Sequence, residues 1–412
     1  DYNDVVVVGY GTVMKSDLTG SVSSVSRKDL GDRQVPDVAS LLAGRAAGVD
    51  VSQGAIRVRG VTTFNNTDPM YVIDGVLGGN ISTVNANYIE SIEVLKYASY
   101  RAIYVSMAAN GVILITTKSG KAGPLKVNIS AFTGISFTPK KLPVLNASQY
   151  VDYALDALKN SGTPATAKLL SPEVRKDVTN WQDQVFRTAR KHEVNVSFSG
   201  GSEKSTSYLA LGYRYNEAIT TDGPRHNDVY ARLKNEYQIK PWLKACINMG
   251  VAYDDSKGVA PWNLAYMLNI PPYLPVYDTS NIKGLGFADT DVQTDLNGVA
   301  NPIAITKLFH STGNSLNYQI SGWAEVQPLK GLTYRVQASV SGNWGRTQDW
   351  NPTVVLGGSQ QLQQSQLNKQ EYYGYSPLIE QYLTYTNRIR KHDFTIMGGT
   401  TWRNDNLGGR IG

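Results

Sequence analysis

Few residues of this chain have the types and spacing that catalysis needs. The four histidines, His192, His226, His310 and His392, stand far apart, and the single cysteine, Cys246, has no partner for a disulfide or a Cys-pair metal site. No Ser/His, Cys/His or paired-carboxylate set recurs at a hydrolytic spacing, so the chain is not expected to be an enzyme. Asp289, Asp291, Asp295 and Asn297 before Gly298 gather oxygen atoms in one stretch, but the spacing misses the EF-hand pattern. A solvated turn is the favoured reading there, an incidental calcium ion the minority one; no resident metal or cofactor is expected. Gly9-Tyr10-Gly11 has Met14 where a dinucleotide fingerprint has its third glycine, and Gly120-Lys121 lacks the earlier glycine of a phosphate loop.

Binding chemistry is better represented. Asp4, Val5, Val6, Val7, Val8, Gly9, Tyr10 and Gly11 form a β-branched run bounded by turn residues. Such an extended segment can add as a strand to a partner sheet, the main chain supplying the hydrogen bonds. An ordinary strand of the neighbouring unit is the alternative, and the terminal location favours the partner. Trp262, Tyr266, Tyr273, Tyr277, Trp350, Tyr372 and Tyr373 fall in stretches read below as long loops. Their rings could stack on sugar faces or grip peptide side chains, against the plainer alternative of packing the loops together.

The elements that position these groups come in two regimes. Up to about residue 123, short helical and strand patterns alternate: a helix over 38–47 closed by Gly48, strands over 55–59, 70–73, 92–95 and 111–117, a turn at Asp74-Gly75 and a helix over 98–106. From Leu125 onward the pattern is strict alternation. Val229, Ala231, Leu233 and Tyr237 oppose Asp228, Tyr230, Arg232, Lys234 and Glu236; Leu243, Ala245, Ile247, Met249, Val251 and Tyr253 oppose Lys244, Asn248 and Asp254. Similar or noisier runs near 125–137, 192–200, 205–216, 314–327, 332–344, 376–387 and 391–403 bring the expectation to about nine strands. Many reach ten residues or more, where soluble strands cluster at about 5–6 and a tilted membrane-crossing strand needs about 9–11.

Connections alternate in length. Short ones fall at 200–204, 239–242, 328–331 and 387–391, long ones at 138–191, 217–227, 255–313 and 345–375. Up-and-down membrane barrels sort their loops this way, whereas a sandwich has no reason to. Composition agrees: charged residues are 18 % of the chain, below the usual value of about 25 %, and 25 tyrosines dominate the aromatics. The charge of +6 comes without a run of basic residues, which argues against a nucleic-acid partner. The chain has no stretch of 18 apolar residues, which excludes a helical membrane protein and leaves a β-barrel open.

At the level of motifs the sequence resembles the SusC/RagA-type TonB-dependent receptors of Gram-negative outer membranes. The matching residues are Asp4 to Gly11 with Lys15-Ser16-Asp17-Leu18-Thr19-Gly20, Ile56-Arg57-Val58-Arg59-Gly60-Val61, Asp68-Pro69-Met70-Tyr71-Val72-Ile73-Asp74-Gly75, Ala108-Ala109-Asn110-Gly111-Val112-Ile113 and Trp181-Gln182-Asp183-Gln184-Val185-Phe186. Gly54 meeting Ala55 directly, and Val105 and Met107 in place of the family's Gly and Arg, are departures. The resemblance implies an all-β transmembrane antiparallel barrel, 22-stranded in the full-length family and partial here, with an N-terminal α/β plug domain. On that basis residues 1–11 are expected to be a TonB box, 12–123 the plug, and 124–412 a partial barrel with long extracellular loops. The implied function is TonB-driven import of an oligosaccharide or peptide across the outer membrane. Implied partners are TonB at residues 4–11 in the periplasm, a SusD-like surface lipoprotein, and outer-membrane lipid. The chain is expected to have lost an export signal and to stop short of the barrel's natural end. A soluble or surface β-rich glycan- or peptide-binding protein and a passive porin are the competing readings.

Overall fold

A computed structural model describes residues 5–8, 11–14, 22–26, 38–52, 54–58, 60, 68–95, 110–258, 263–290, 298–357, 361–389, 392–405 and 407–411. Asp4, Gly9, Tyr10, Val105, Met107, Trp262, Asp291, Asp295, Asn297 and the helix expected over 98–106 lie outside them.

The first unit is a small mixed sheet. β1 (Val5–Val8) and β2 (Gly11–Met14) form a separate hairpin, as do β4 (Val49–Ser52) and β5 (Ala55–Val58). β3 (Val22–Ser26), β6 (Met70–Ile73), β7 (Val76–Leu77), β8 (Ile89–Leu95) and β9 (Val112–Thr117) build a five-stranded sheet in the order β3-β8-β9-β6-β7, with β6 and β9 parallel. β9 sits centrally because Val112, Ile113, Leu114 and Ile115 are buried on both faces, the signature of a strand covered on two sides. β6 turns into β7 through Asp74 and Gly75, at φ 49° and 84°, the left-handed geometry that a two-residue hairpin demands and that an Asp-Gly pair tolerates. The helix expected over 38–47 stops at Leu42, because the chain turns at Gly44, φ 71°, before Gly48 repeats the left-handed conformation at φ 73°.

The second unit is one antiparallel wall. β10 (Gly123–Ser136), β11 (Ala189–Gly201), β12 (Ser205–Glu217), β13 (Arg225–Lys240), β14 (Leu243–Lys257), β15 (His310–Leu329) and β16 (Leu332–Asn351) each pair with the next. Beyond the small pair β17 (Val354–Val355) and β18 (Gln361–Leu362), β19 (Gln366–Ile389) joins β16, and β20 (His392–Arg403) joins β19. β21 (Leu407–Ile411) pairs with Glu371–Tyr375 of β19, on the same side as β20, which ends at Arg403. Every strand line expected after Leu125 is present.

The two faces of the wall differ as the alternation requires. Leu211, Val229, Ile247, Ile320 and Ile379 are 42–53 % exposed on one face. Arg232, Asn248, Gln319, Gln337 and Glu380, in the opposite phase, are buried on the other. The apolar side chains are therefore not sandwiched between two sheets; the polar face is the covered one, and the plug covers it. No described helix is long and apolar enough to cross a membrane, so crossing falls to the strands.

Strand ends depart from expectation. β16 runs to Asn351 and β19 starts at Gln366, so much of the loop expected over 345–375 is strand. The loop expected over 138–191 holds a helix, Ala147–Ser161, opened by an Asn146/Gln149 capping box and closed by Gly162 at φ 69°. With the helices Trp181–Val185, Asn263–Asn269 and Pro302–Leu308 it forms a separate apolar core above the wall, including Val151, Trp181, Ile303 and Leu356.

Candidate plug–wall seam and lumenal cavity

The seam between plug and wall is held by charge. Asp74, in the left-handed turn between β6 and β7, is 4 % exposed in its side chain and forms an ion pair with Arg232 of β13, whose side chain is 1 % exposed. Lys234 Nζ stands 3.5 Å from Asp74 Oδ1, and Asn248 Nδ2 donates to Oδ2 at 2.8 Å. The Thr117 amide donates to Asp74 Oδ1 at 2.9 Å and its hydroxyl to Oδ2 at 2.6 Å, while Arg232 Nε donates to the Thr117 hydroxyl at 3.0 Å. Burial by itself would raise the Asp74 pKa; Lys234 and Arg232 and the two Thr117 bonds outweigh it and hold the carboxyl well below the usual range.

A second node lies on β11. Glu193 Oε1 accepts from Asn85 at 3.1 Å, Asn87 at 2.8 Å and Asn195 at 2.9 Å. The asparagines reach it because Asn85 caps the short turn Ala86–Tyr88 with its other amide atom, which fixes its side chain. Further along, Gln319 Oε1 accepts from the Asn80 amide at 3.1 Å, and Gln337 Nε2 donates to the Gly75 carbonyl at 3.2 Å. Close approach needs a bare wall at Gly212, where a Cβ would stand 2.5 Å from both the Tyr88 hydroxyl and Asn195 Oδ1.

Above these nodes a cavity of about 370 Å³ separates plug from wall. Val38, Ile56, Ile81 and Val84 face it from the plug, and Arg214, Asp228, Tyr230, Asp254 and Asn317 from the wall. The wall groups stand near the long-loop ends of β12, β13, β14 and β15. Arg214 Nε donates to Asp228 Oδ2 at 2.6 Å and Nη2 to the Tyr230 hydroxyl at 2.7 Å. His226 Nδ1 and Asp254 Oδ2 are 3.0 Å apart, and Asp228 and Asp254 are direct cross-strand partners.

The aromatic residues singled out from sequence do not share one site. Tyr273 is buried in the loop core, edge-on to Tyr150, and Tyr266 packs against that core. Tyr277 is 53 % exposed, tilted on Phe287 and bonded to Lys307 at 3.0 Å. Trp350 lies in β16 and Tyr372 and Tyr373 in β19, so the three are strand residues and not loop residues; Trp350 and Tyr373 are exposed. Within the terminal motif, Val5–Val8 pairs antiparallel with Gly11–Met14, Val5 opposite Met14. The seam residues escape sequence reasoning, although one signal for them exists. Arg232, Lys234 and Glu193 are ionisable residues in the middle of strands long enough to cross a bilayer, where each charge is costly and calls for a partner.

Comparison with known proteins agrees with this architecture. The TonB-dependent Receptor Plug Domain family model matches residues 14–112. The TonB-dependent receptor SusC of Bacteroides thetaiotaomicron is 30 % identical over 96 % of this chain and 42 % of its own length. TonB-dependent receptor P39 of Formosa agariphila is 29 % identical over 86 % of this chain and 34 % of its own. The chain thus spans between about a third and two fifths of the length of these curated relatives. Among solved structures, the RagAB peptide importer in its open-open state superposes with a TM-score of 0.79 at 23 % identity, over 97 % of this chain and 49 % of that one. The ferripyoverdine receptor of Pseudomonas aeruginosa superposes at 0.57 and 13 % identity, over 98 % and 44 %. A plug sheet seated on the polar face of an antiparallel wall, the plug family match and these relatives together assign the chain to the SusC/RagA-type TonB-dependent receptors.

Proposed function

We propose that the protein imports a nutrient, an oligosaccharide or a peptide, across the outer membrane, with TonB displacing the plug. The observation that carries this reading is the pairing of an outward apolar face with an inward polar face occupied by a plug: Ile247 and Val229 exposed, Arg232 and Asn248 buried against Asp74. Residues 1–11 would be the capture segment, 12–123 the plug and 124–412 the wall. Long loops then lie outside the cell and short turns in the periplasm with the capture segment. Lipid covers the apolar face, and a SusD-like lipoprotein would meet the loop side. The likeness to the TonB-dependent receptor SusC supports TonB-driven import, and the fold shared with the RagAB peptide importer supports the peptide class. Tyr277, with an exposed ring, remains the leading aromatic contact proposed for substrate; Trp350 and Tyr373, in phase with Ile379 on the outward face, are secondary, as are Tyr266, Tyr273, Tyr372 and Trp262. A passive porin is disfavoured by the charge-locked seam, which ties the plug to the polar face of the wall.

TonB would pair with Val5–Val8 by strand addition, so that several main-chain bonds load together under tension. Proline at Val6 or Val7 removes a donor and fixes φ. In the intact receptor, Val6→Pro is expected to abolish energised uptake while leaving substrate binding at the cell surface unchanged. Uptake at the normal rate in that variant would remove the capture role from this segment.

A further inference from the structure

The outward face of the wall changes character towards its long-loop end. Strand register aligns Val194, Tyr213, Val229, Tyr253, Leu316 and Trp344 in one row on that face. Between this row and the short turns the outward phase is uncharged: Ala231, Leu233, Asn235, Tyr237 and Ile239 occupy it on β13, and alternate residues from Leu243 to Val251 on β14. On the far side of the row the same phase runs through His192 to Arg190, through Asn227 to Arg225 and through Asp255 to Lys257. Arg190, Arg225 and Lys257 are all exposed. The short-turn end has no counterpart on these strands, so the outward cations belong to one side of the membrane.

Arg225 and Lys257 are direct cross-strand partners. Like charges placed opposite each other, with Cβ atoms about 4.5–5.5 Å apart, destabilise a sheet, and an anion between them reverses the sign. The neighbouring carboxylate, Glu217 opposite Arg225, is engaged on its own side. It accepts from the Tyr215 hydroxyl at 2.6 Å and the Arg190 amide at 3.0 Å, and stands 3.9 Å from Arg187 Nη2. Asp255, in the row below, lies opposite Asn227 and Asn314. Arg225 and Lys257 each stand four residues beyond the uncharged row, roughly 10 Å along the bilayer normal for a rise of about 3.4 Å and a tilt of about 45°. With the uncharged stretch in hydrocarbon, their long side chains reach back into the headgroup layer.

We propose that Arg225 and Lys257 clamp a phosphate borne by an anionic lipid headgroup of the outer leaflet. A tetrahedral oxyanion can take the fork of a guanidinium and the point charge of an ammonium at once, which turns the repulsion between the two cations into a shared attraction. The inference rests on the importer reading, which places the apolar face in lipid, and adds a fixed lipid site to one leaflet. The clamp ties together β13 and β14, the strands that carry Arg232 and Asn248 on their inner side.

The probe is diphosphoryl lipid A, titrated onto the intact receptor in detergent micelles and read by native mass spectrometry. Arg225→Gln combined with Lys257→Gln is expected to weaken binding at least about tenfold. Lys204→Gln combined with Lys240→Gln removes the same charge from exposed positions at the short-turn end and is expected to leave binding unchanged. All four positions are exposed, and unchanged heat-modifiable mobility on gels reports that each variant is folded. No binding by the parent, an equal loss in both pairs, or equal affinity for lipid A stripped of its phosphates would each overturn the proposal. Inorganic phosphate that displaces lipid A at matched concentration would make this a site for soluble anions and overturn the lipid source. Insertion into phosphatidylcholine vesicles separates the clamp from the importer reading. A receptor that inserts and imports without any dependence on Arg225 and Lys257 loses only the clamp, whereas one that inserts into no vesicle loses the membrane reading and the clamp together.

Discussion

The seam beneath the cavity and the core inside the long loops are both buried, yet they are built from opposite materials. The loop core joins Tyr150, Val151, Leu158, Trp181, Ile303 and Leu356, and ties its loops together through backbone, as when Trp181 Nε1 donates to the Pro271 carbonyl at 3.0 Å. At the seam, Asp74, Arg232, Lys234, Asn248, Glu193, Asn85 and Asn87 meet across two separate sheets. On the proposed mechanism, the difference marks the seam as the part that opens. Opening an apolar core exposes surface at about 25 cal/mol per Å² with nothing to offset it. Opening a hydrogen-bonded interface exchanges protein partners for water, at a net of about 0.5–1.5 kcal/mol for each neutral bond and about 1.5–3 for each bond to a charged group. A plug that moves as proposed, beside a loop core that holds its shape, would divide the two chemistries in this way.

The contrast breaks most visibly at its two anchors. Trp181→Ala removes a ring that is 4 % exposed and is expected to cost about 3–5 kcal/mol, confined to the loop core. Arg232→Leu leaves Asp74 buried with Lys234 as its remaining cation and is expected to cost a similar ~3–5 kcal/mol, confined to the seam. Limited proteolysis of the intact receptor should then cut the loops first in one variant and the plug first in the other. Identical cleavage patterns would show that the two regions unfold as one body.

A smaller effect should separate the two faces of the wall. Ile247→Arg places a cation on the exposed apolar face of β14 and is expected to destabilise the receptor in lipid by about 2–4 kcal/mol, with little change in the plug's protease sensitivity. Equal denaturant midpoints for variant and parent in lipid vesicles would mean that this face does not meet lipid.

Acid offers a graded version of the same comparison. The Asp74 carboxyl has a folded pKa below its unfolded value of about 4, so its contribution is fully present above that pH and is lost as pH falls through and below it. Between neutral pH and pH of about 3, plug proteolysis is expected to rise while the apolar loop core keeps its resistance. Asp74→Asn should flatten that rise.

How much of this is legible in the sequence follows from where each side chain lives. Inside the bilayer one face meets oil and the other polar groups, so Val229, Ala231 and Leu233 against Asp228, Tyr230 and Arg232 announce β13 directly. Towards its long-loop end β16 continues through Arg346, Thr347, Gln348 and Asp349, all polar, with no alternation to read. That is why Trp350, Tyr372 and Tyr373 look like loop residues until the strands are seen. The helix Ala147–Ser161 escapes notice because its capping box and apolar stripe sit in a stretch whose length alone stands out. Asp74-Gly75 is legible as a turn from its residue types, but its charge partner lies 158 residues away, and local pattern carries no information on pairing at that range.

The least disruptive change tests whether charge, and not shape, distinguishes the seam. Glu193→Gln keeps an amide oxygen where Oε1 now accepts from Asn85, Asn87 and Asn195, and removes only the negative charge. Hydrogen bonds to a charged group contribute about 1.5–3 kcal/mol and neutral ones about 0.5–1.5, so a loss near 1 kcal/mol is expected, far below that of Arg232→Leu. Thermal melting of the intact receptor should resolve the order. If Glu193→Gln matched Arg232→Leu, the node on β11 would be the principal tie between plug and wall, and Asp74 would be the lesser of the two.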